Sequence, residues 1–173
     1  MLALLTALVG PFFVDWNAFR SNFEAQAEAM LGHRVRVDGT ADARILPLPS
    51  LTFTDVRIGE AGVPPLMTVK RFSVRVELFP LLQGEVRVVD MALDEPSINV
   101  RITEDGAFEW LKNRVPARID PKKVVLEKVE IRNGRIVVAD ERRAADYYVT
   151  GVNALVDARP LAGPYKFDGA AVF

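Results

Sequence analysis

The chain has 173 residues, enough for one domain with a sizeable core, or for a domain and an anchor. Its 22 Lys and Arg residues nearly balance 23 Asp and Glu residues, and the resulting formal net charge of −1 argues against a dedicated nucleic-acid-binding protein. Because cysteine is absent, disulfides, thiolate nucleophiles and cysteine-based metal sites are excluded.

The first segment, residues 1–14, is nearly all apolar and carries no charged side chain. As a helix it would extend about 21 Å, against roughly 30 Å for a bilayer core. It also lacks the basic residues that open a signal peptide. Two interpretations stay open: a membrane anchor whose first half is missing, or a buried core helix. The uninterrupted apolar run favours the truncated anchor.

The second segment, residues 15–32, predicts an amphipathic helix. Gly32 is expected to end it, because glycine tolerates a left-handed conformation. Such a helix suits two compatible roles, packing onto a domain core or lying at a membrane surface. The apolar side chains recur at spacings of three and four, which places them on one face: Trp16, Phe19, Phe23, Ala27 and Met30.

From Arg34 onward the apolar period changes to two. Six alternations that run through Ile45 predict a strand with one dry face and one charged face. Further alternating runs bring the expected number of strands to about nine. In the strand Leu51–Ile58 the alternation shifts phase between Phe53 and Val56, which indicates a bulge or a strong twist.

Three features punctuate the later strands. Pro96 predicts a strand boundary or a sheet edge, because proline cannot donate a ladder hydrogen bond. Asn133-Gly134 predicts a tight hairpin between two strands. The last strand still alternates at Phe173, so it would present an open edge, and the chain is expected to be the front of a longer protein.

Together these patterns predict a mainly β fold with one N-terminal amphipathic helix, in the α+β class. Short strands joined by short turns favour an antiparallel, strongly twisted meander sheet that forms a groove and continues beyond the chain end. The predicted division is residues 1–14 as a truncated anchor, 15–32 as the helix, and 33–173 as a β-rich domain that is incomplete at its C-terminus.

The sequence offers no catalytic motif. His33 is the only histidine. Because it follows the predicted end of a helix, it is expected to interact favourably with the helix dipole. Neighbouring carboxylates such as Asp94-Glu95 and Asp140-Glu141 would point to opposite sides of a strand. No phosphate-binding glycine loop, metal-binding spacing or G-x-S-x-G motif is present. We therefore predict a non-enzymatic protein without catalytic, cofactor or metal sites.

The long one-sided apolar surface is the main candidate site. A single helix cannot cover a nine-stranded sheet about 40 Å wide. The surplus must curl onto itself, meet a further part of the protein, or accept acyl chains, whose burial is worth about 0.8 kcal/mol per CH₂. The candidate lipid-groove residues are Val35, Val37, Phe53, Phe72, Val74, Val76, Leu78, Ile98, Val100, Ile102 and Phe167.

A series of short motifs runs over nearly the whole chain. In order they are VGPFFVDWN at 9–17, LGHRV at 31–35, VDG at 37–39, LPLP at 46–49, DV at 55–56, LFPLLQG at 78–84, PSI at 96–98, GAFEW at 106–110 and RNG at 132–134. In this order and spacing the chain resembles the N-terminal region of AsmA family proteins, envelope proteins of Gram-negative bacteria related to TamB-type and other bridge-like lipid-transfer proteins.

The resemblance implies an N-terminal inner-membrane anchor, a periplasmic body of groove-forming β repeats, and a role in outer-membrane biogenesis or phospholipid movement. It implies phospholipid and the inner membrane as partners, with envelope proteins as further candidates and no nucleic acid, and it supplies no catalytic motif. Two functions stay open. One is a conduit for acyl chains, and the other is a scaffold that captures proteins by strand addition.

Overall fold

The computed structural model describes residues 18, 20–44, 48–77, 79, 86–107, 124–157 and 166–172. The expectations for residues 1–14, for the helix before Arg20 and for Leu78 lie outside these residues. The elements are α1 (Arg20–Leu31), β1 (Val35–Val37), β2 (Ala41–Arg44), β3 (Ser50–Ile58), β4 (Met67–Val76), β5 (Val86–Ile102), β6 (Val124–Asp140), β7 (Ala145–Asp157) and β8 (Lys166–Val172).

The eight strands form one sheet, in which β1 and β2 both pair with β3, and β3 to β8 follow in chain order. Within the described residues, the mainly β fold with one helix and an open, twisted sheet is confirmed. Neighbouring strands are antiparallel, as predicted, with the exception of β5 and β6, which run parallel. Parallel neighbours need a crossover of a dozen or more residues, and 21 residues separate β5 from β6 in the sequence.

Helix α1 ends where its sequence predicts. Gly32 has a φ of 70°, and its N–H donates to the carbonyl oxygen of Glu28 at 2.9 Å. Phe23 and Ala27 pack against the buried core, so the core-facing role of the helix is confirmed for this face. On the flank of α1, Glu24 accepts a hydrogen bond from the backbone N–H of Val37 at 2.8 Å. The helix therefore holds the edge strand β1.

The buried core lies beneath α1, at the β1–β4 end of the sheet. The ring of Phe23 stacks on that of Phe53 with centroids 3.8 Å apart, and Phe53 stacks on Phe72 at 6.4 Å. The helix covers this end of the sheet, and two further buried apolar residues, Val88 on β5 and Ala154 on β7, lie outside this cluster. Its buried members are Val35, Val37, Ala41, Phe53, Val56 and Val69.

A line of left-handed residues crosses the sheet, and we call it the crease. It consists of Asp55 on β3, Glu95 on β5, Asn133 on β6 and Gly151 on β7, with φ values of 52°, 50°, 52° and 59°. Asp55 lies at the predicted phase shift of β3, and the β3–β4 register is the same on both sides of it, so the irregularity is a left-handed residue without a register shift. The chain between β1 and β2 bends at the same level, where the N–H of Gly39 donates to the carbonyl oxygen of Thr54 at 3.2 Å.

On β3, β4 and β5 one residue at this level has no register partner, and these residues are Asp55, Lys70 and Glu95. Residues on one face are therefore three apart instead of two, and the register on both sides of the crease is the same. The apolar side is preserved across the crease, because each strand changes phase together with its neighbour. The pairs that show this spacing are Phe53 and Val56, Phe72 and Val69, and Leu93 and Pro96.

Two sequence predictions are wrong at the crease. Asn133-Gly134 does not form a hairpin, because β6 continues through it and the turn to β7 is residues 141–144. Asn133 adopts its left-handed conformation inside the strand instead. Pro96 is no boundary or edge, since β5 continues through it and Pro96 is buried. The ladder to β6 is interrupted at this level, so the missing proline N–H is not needed.

Gly134→Val is expected to destabilise the sheet at the crease. An added Cβ would lie 3.2 Å from the side chains of Ile131 and Val152 and 3.3 Å from the ring of Pro96. Overpacking of this kind costs about 1–3 kcal/mol of unfolding free energy, measured by chemical denaturation. Thr150→Val, at an exposed position of β7, is the control and should change stability by less than about 0.5 kcal/mol. Equal losses of unfolding free energy in the two variants would contradict the close packing around Gly134.

Candidate functional site

Cross-strand partners lie on the same side of a sheet, so the register assigns whole rows of side chains to one face. Three rows that run from β3 to β7 contain only apolar residues, and we call this side the apolar face. The rows are Leu51, Val74, Met91, Val129 and Val156; Phe53, Phe72, Leu93, Ile131 and Ala154; and Ile58, Met67, Ile98, Ile136 and Val149.

The opposite side of the sheet, the charged face, carries ion pairs both between and within strands. Arg75 Nε donates to Asp90 at 2.8 Å, and Arg132 contacts both Asp94 at 3.2 Å and Glu130 at 2.9 Å. The hydrogen bond from Arg132 holds the pKa of Glu130 below its ordinary value. Paired, hydrated charges keep this face in water, and the two faces of the sheet therefore differ sharply in polarity.

Burial divides the apolar face into a covered part and an open part. Under α1, Phe53 is 4% exposed and Val69 is 3% exposed. On β5, β6 and β7 the residues of the three rows are half-buried, apart from the buried Ala154. We call this β5–β7 side the open part. From Met91 to Ile102 on β5 it extends about 35 Å along the strands.

The predicted groove residues divide between these two parts. Val35, Val37 and Phe53 are 2%, 3% and 4% exposed and lie in the core, so in this structure they support α1 and do not line an open surface. Phe72 packs against the same core. The half-buried residues outside the core cluster are Val74, Val76, Ile98, Val100 and Ile102. The register places Phe167 of β8 opposite Val156.

Sequence reasoning missed the β6 and β7 residues of the open part. The parallel register places Val138 beside Val100, and Ile136 pairs with Val149 on the next strand. Alternation is hard to see in β6, because Val137 on the other face is also apolar. Only the pairing of β5 with β6 reveals that these side chains continue the row.

A family model of the AsmA family matches residues 1–169. The chain belongs to the AsmA family. Membership suggests an envelope-related protein, in a family that is generally non-enzymatic. A search of the curated proteins found no match.

Several of the motifs through which the sequence resembles the AsmA family meet at the crease. DV at 55–56, PSI at 96–98 and RNG at 132–134 lie there on β3, β5 and β6. VDG at 37–39 joins them, because the N–H of Asp38 donates to the carbonyl oxygen of Asp55 at 3.0 Å. In this AsmA family chain these short motifs therefore serve one structural feature, the crease that keeps the apolar face continuous.

At one end the open part meets a buried carboxylate. Asp140 pairs with Ile102 and is 4% exposed. It accepts hydrogen bonds from the backbone N–H of Arg142 at 3.1 Å and from its Nε at 3.3 Å. Burial alone would raise the pKa of Asp140, but these bonds and the charges of Arg142 and Arg143 hold that pKa below its ordinary value. Glu141 contacts Arg101 instead, at 3.7 Å.

Asp140→Asn is expected to lower stability at neutral pH and to flatten its acid dependence. A carboxyl whose pKa is depressed on folding contributes stability that is fully present above its unfolded-state pKa, about 3.9. That stability is lost as the pH falls through the lower folded-state pKa. Thermal unfolding followed from pH 7 to pH 2 should show a steeper fall below about pH 4 for the original chain than for the variant. If the unfolding temperature fell equally steeply with pH in both proteins, a depressed pKa of Asp140 in the folded chain would be contradicted.

The single histidine of the chain, His33, lies in its described part. No group of three or more His, Asp or Glu side chains there could hold a metal ion. His33 lines a pocket beside Glu60 and Asn99, and no hydroxyl side chain lines that pocket with it. Among the same residues, no helix is long and apolar enough to span a bilayer.

Proposed function

We propose that this AsmA family chain is a membrane-anchored periplasmic protein that carries phospholipid acyl chains along the open part of its apolar face. The supporting observation is that the apolar rows continue over β5, β6 and β7 beyond the core beneath α1. In this proposal the protein serves outer-membrane biogenesis, performs no catalysis and needs no cofactor.

The mechanism is passive. Each CH₂ group that leaves water for the apolar face contributes about 0.8 kcal/mol, and the row offers the same environment at each step. Aliphatic side chains such as Ile98, Val100 and Ile136 make no directional bonds, so an acyl chain can slide without a large barrier. Head groups stay hydrated at the rim of the sheet, because the apolar face offers them no partner.

Residues 1–14 are proposed to anchor the chain in the inner membrane, with the body in the periplasm. Phospholipid and the inner membrane are the proposed partners, together with other envelope proteins. The near balance of 22 basic and 23 acidic residues leaves no charge excess for nucleic acid.

Site-specific photo-crosslinking tests this function on β7. A benzophenone amino acid replaces either Val149, half-buried on the apolar face, or Tyr148, 57% exposed on the other face. In cells with radiolabelled phospholipid, the probe at Val149 should form a lipid adduct and the probe at Tyr148 should not. Equal labelling at the two positions, or none at Val149, would contradict the proposal.

A second candidate function is a scaffold that captures protein strands. Its support is β8, which pairs with β7 on one side and has no strand on its other side within the described sheet. Residues 168–172 of this strand are exposed. Ala170→Pro would block strand addition there, so loss of a protein partner with lipid binding retained would favour the scaffold over the conduit.

A further inference from the structure

We infer that an arginine cluster beside α1 binds the phosphate groups of anionic phospholipids at a membrane surface. This inference rests on the proposed anchoring of residues 1–14. The cluster consists of Arg20 on α1, Arg34 and Arg36 at β1, and Arg57 on β3, and these residues line one cleft of about 480 Å³. The loop 59–63 forms another wall of the cleft. Guanidinium groups are suited to phosphate because they present several donors in a planar fork.

The register places two of these arginines directly opposite each other. Arg36 of β1 pairs with Arg57 of β3, an arrangement of like charges that destabilises a sheet unless they are compensated. Glu24 lies 3.4 Å from Arg36, and Asp38 accepts a hydrogen bond from Arg57 Nε at 3.1 Å. Neither carboxylate buries its arginine, since the side chains of Arg36 and Arg57 are 52% and 53% exposed.

The compensating charge of Glu24 is directed into the protein. Its side chain is 13% exposed, and one carboxylate oxygen accepts the N–H of Val37. Arg34 has no ion-pair partner among the described residues. The lining of the cleft carries these four guanidinium groups and three carboxylates, Glu24, Asp38 and Glu60, which leaves an excess of one positive charge.

Exposed apolar side chains flank the arginines. Val63 lines the cleft and is 58% exposed, and Leu31, three residues before Arg34, is 51% exposed. Binding of a soluble anion does not require aliphatic side chains beside the arginines. Basic groups beside exposed aliphatic side chains are typical of surfaces that lie at the lipid head-group level, where each basic residue adds attraction to anionic lipid.

The chain connectivity limits how far this cleft can lie from the proposed anchor. Six peptide units separate Val14 from Arg20, and fully extended they span at most about 20 Å. If residues 1–14 occupy the bilayer, Arg20 must lie within that distance of the end of the anchor. The bilayer is therefore the source of phosphate to which we assign the cleft.

Hydrogen exchange of the full chain in lipid nanodiscs tests the inference. Discs of phosphatidylcholine are compared with discs that also contain phosphatidylglycerol, and exchange is measured at residues 59–63. We expect exchange to be slower by about fivefold or more in the anionic discs. Arg34→Gln combined with Arg36→Gln should abolish that difference. Arg71→Gln combined with Arg135→Gln, two exposed arginines of other strands, is the matched control and should preserve it.

Three results would overturn the inference. They are equal exchange in both kinds of disc, protection that survives in the Arg34/Arg36 variant, and protection by inorganic phosphate in phosphatidylcholine discs, which would indicate a free-anion site. Crosslinking at Val149 reports separately on the open part of the apolar face. A lipid adduct there without protection at residues 59–63 would contradict the arginine cleft alone, and the reverse pattern would contradict the conduit alone.

Discussion

Val138→Asp is expected to reduce the phospholipid that copurifies with the chain by at least about tenfold. Val138 is half-buried in the open part and pairs with Val100 on β5 and Tyr147 on β7. An ionised carboxylate beside an acyl chain loses hydration without gaining a partner, which costs several kcal/mol, and 1.4 kcal/mol already corresponds to tenfold. The measurement is lipid phosphorus per mole of protein after purification in gentle detergent and solvent extraction.

Val137→Asp is the matched control for this prediction. Val137 precedes Val138 on β6, is also half-buried, and pairs with Asn99 and Tyr148 on the other face. Circular dichroism of both variants checks that they fold. Val100→Asp, on the neighbouring strand, should repeat the loss seen for Val138→Asp. Equal lipid loss in the Val137 and Val138 variants would show that the apolar face is not where lipid binds.

Phe53→Ala is expected to have the largest effect on stability, a loss of about 3–5 kcal/mol of unfolding free energy. Phe53 is 4% exposed and is the ring through which α1 is held to the sheet, with Phe23 stacked on it at 3.8 Å. Its removal leaves a cavity between Phe23 and Phe72. Urea denaturation followed by circular dichroism measures the change.

Leu51→Ala provides the comparison for Phe53→Ala. Leu51 lies on the same strand and in an adjacent row of the apolar face, but it is 39% exposed and outside the core cluster. Its truncation should cost less than about 1.5 kcal/mol, because it buries less apolar surface. Similar losses of unfolding free energy for the two variants would mean that Phe53 does not lie in a core covered by α1.

Local periodicity predicted much of this fold. The change of period at Arg34 separates the helix from the strands, and Gly32 marks the boundary. The phase shift between Phe53 and Val56 correctly indicated an irregular backbone, since Asp55 between them has a left-handed φ of 52°. These features are local, so a single strand or helix is enough to reveal them.

The features that the sequence could not reveal depend on neighbouring strands. Asn133-Gly134 has the same backbone preference in a hairpin and in the crease, and only the continuation of β6 distinguishes them. The parallel pairing of β5 with β6 joins residues 38 positions apart, such as Val100 and Val138. A short turn motif predicts antiparallel pairing between consecutive strands, and no comparable local motif predicts this parallel pair. For the site, alternation identified a set of apolar residues but could not say which of them α1 covers.

Native mass spectrometry of the chain, released from gentle detergent, tests the central proposal most directly. The proposed conduit predicts the mass of the chain plus one or more phospholipids, with the lipid adducts lost in Val138→Asp and kept in Val137→Asp. Spectra that contain only the bare chain, or the chain with a protein partner and no lipid, would contradict the conduit. The second of these outcomes would support strand capture at β8.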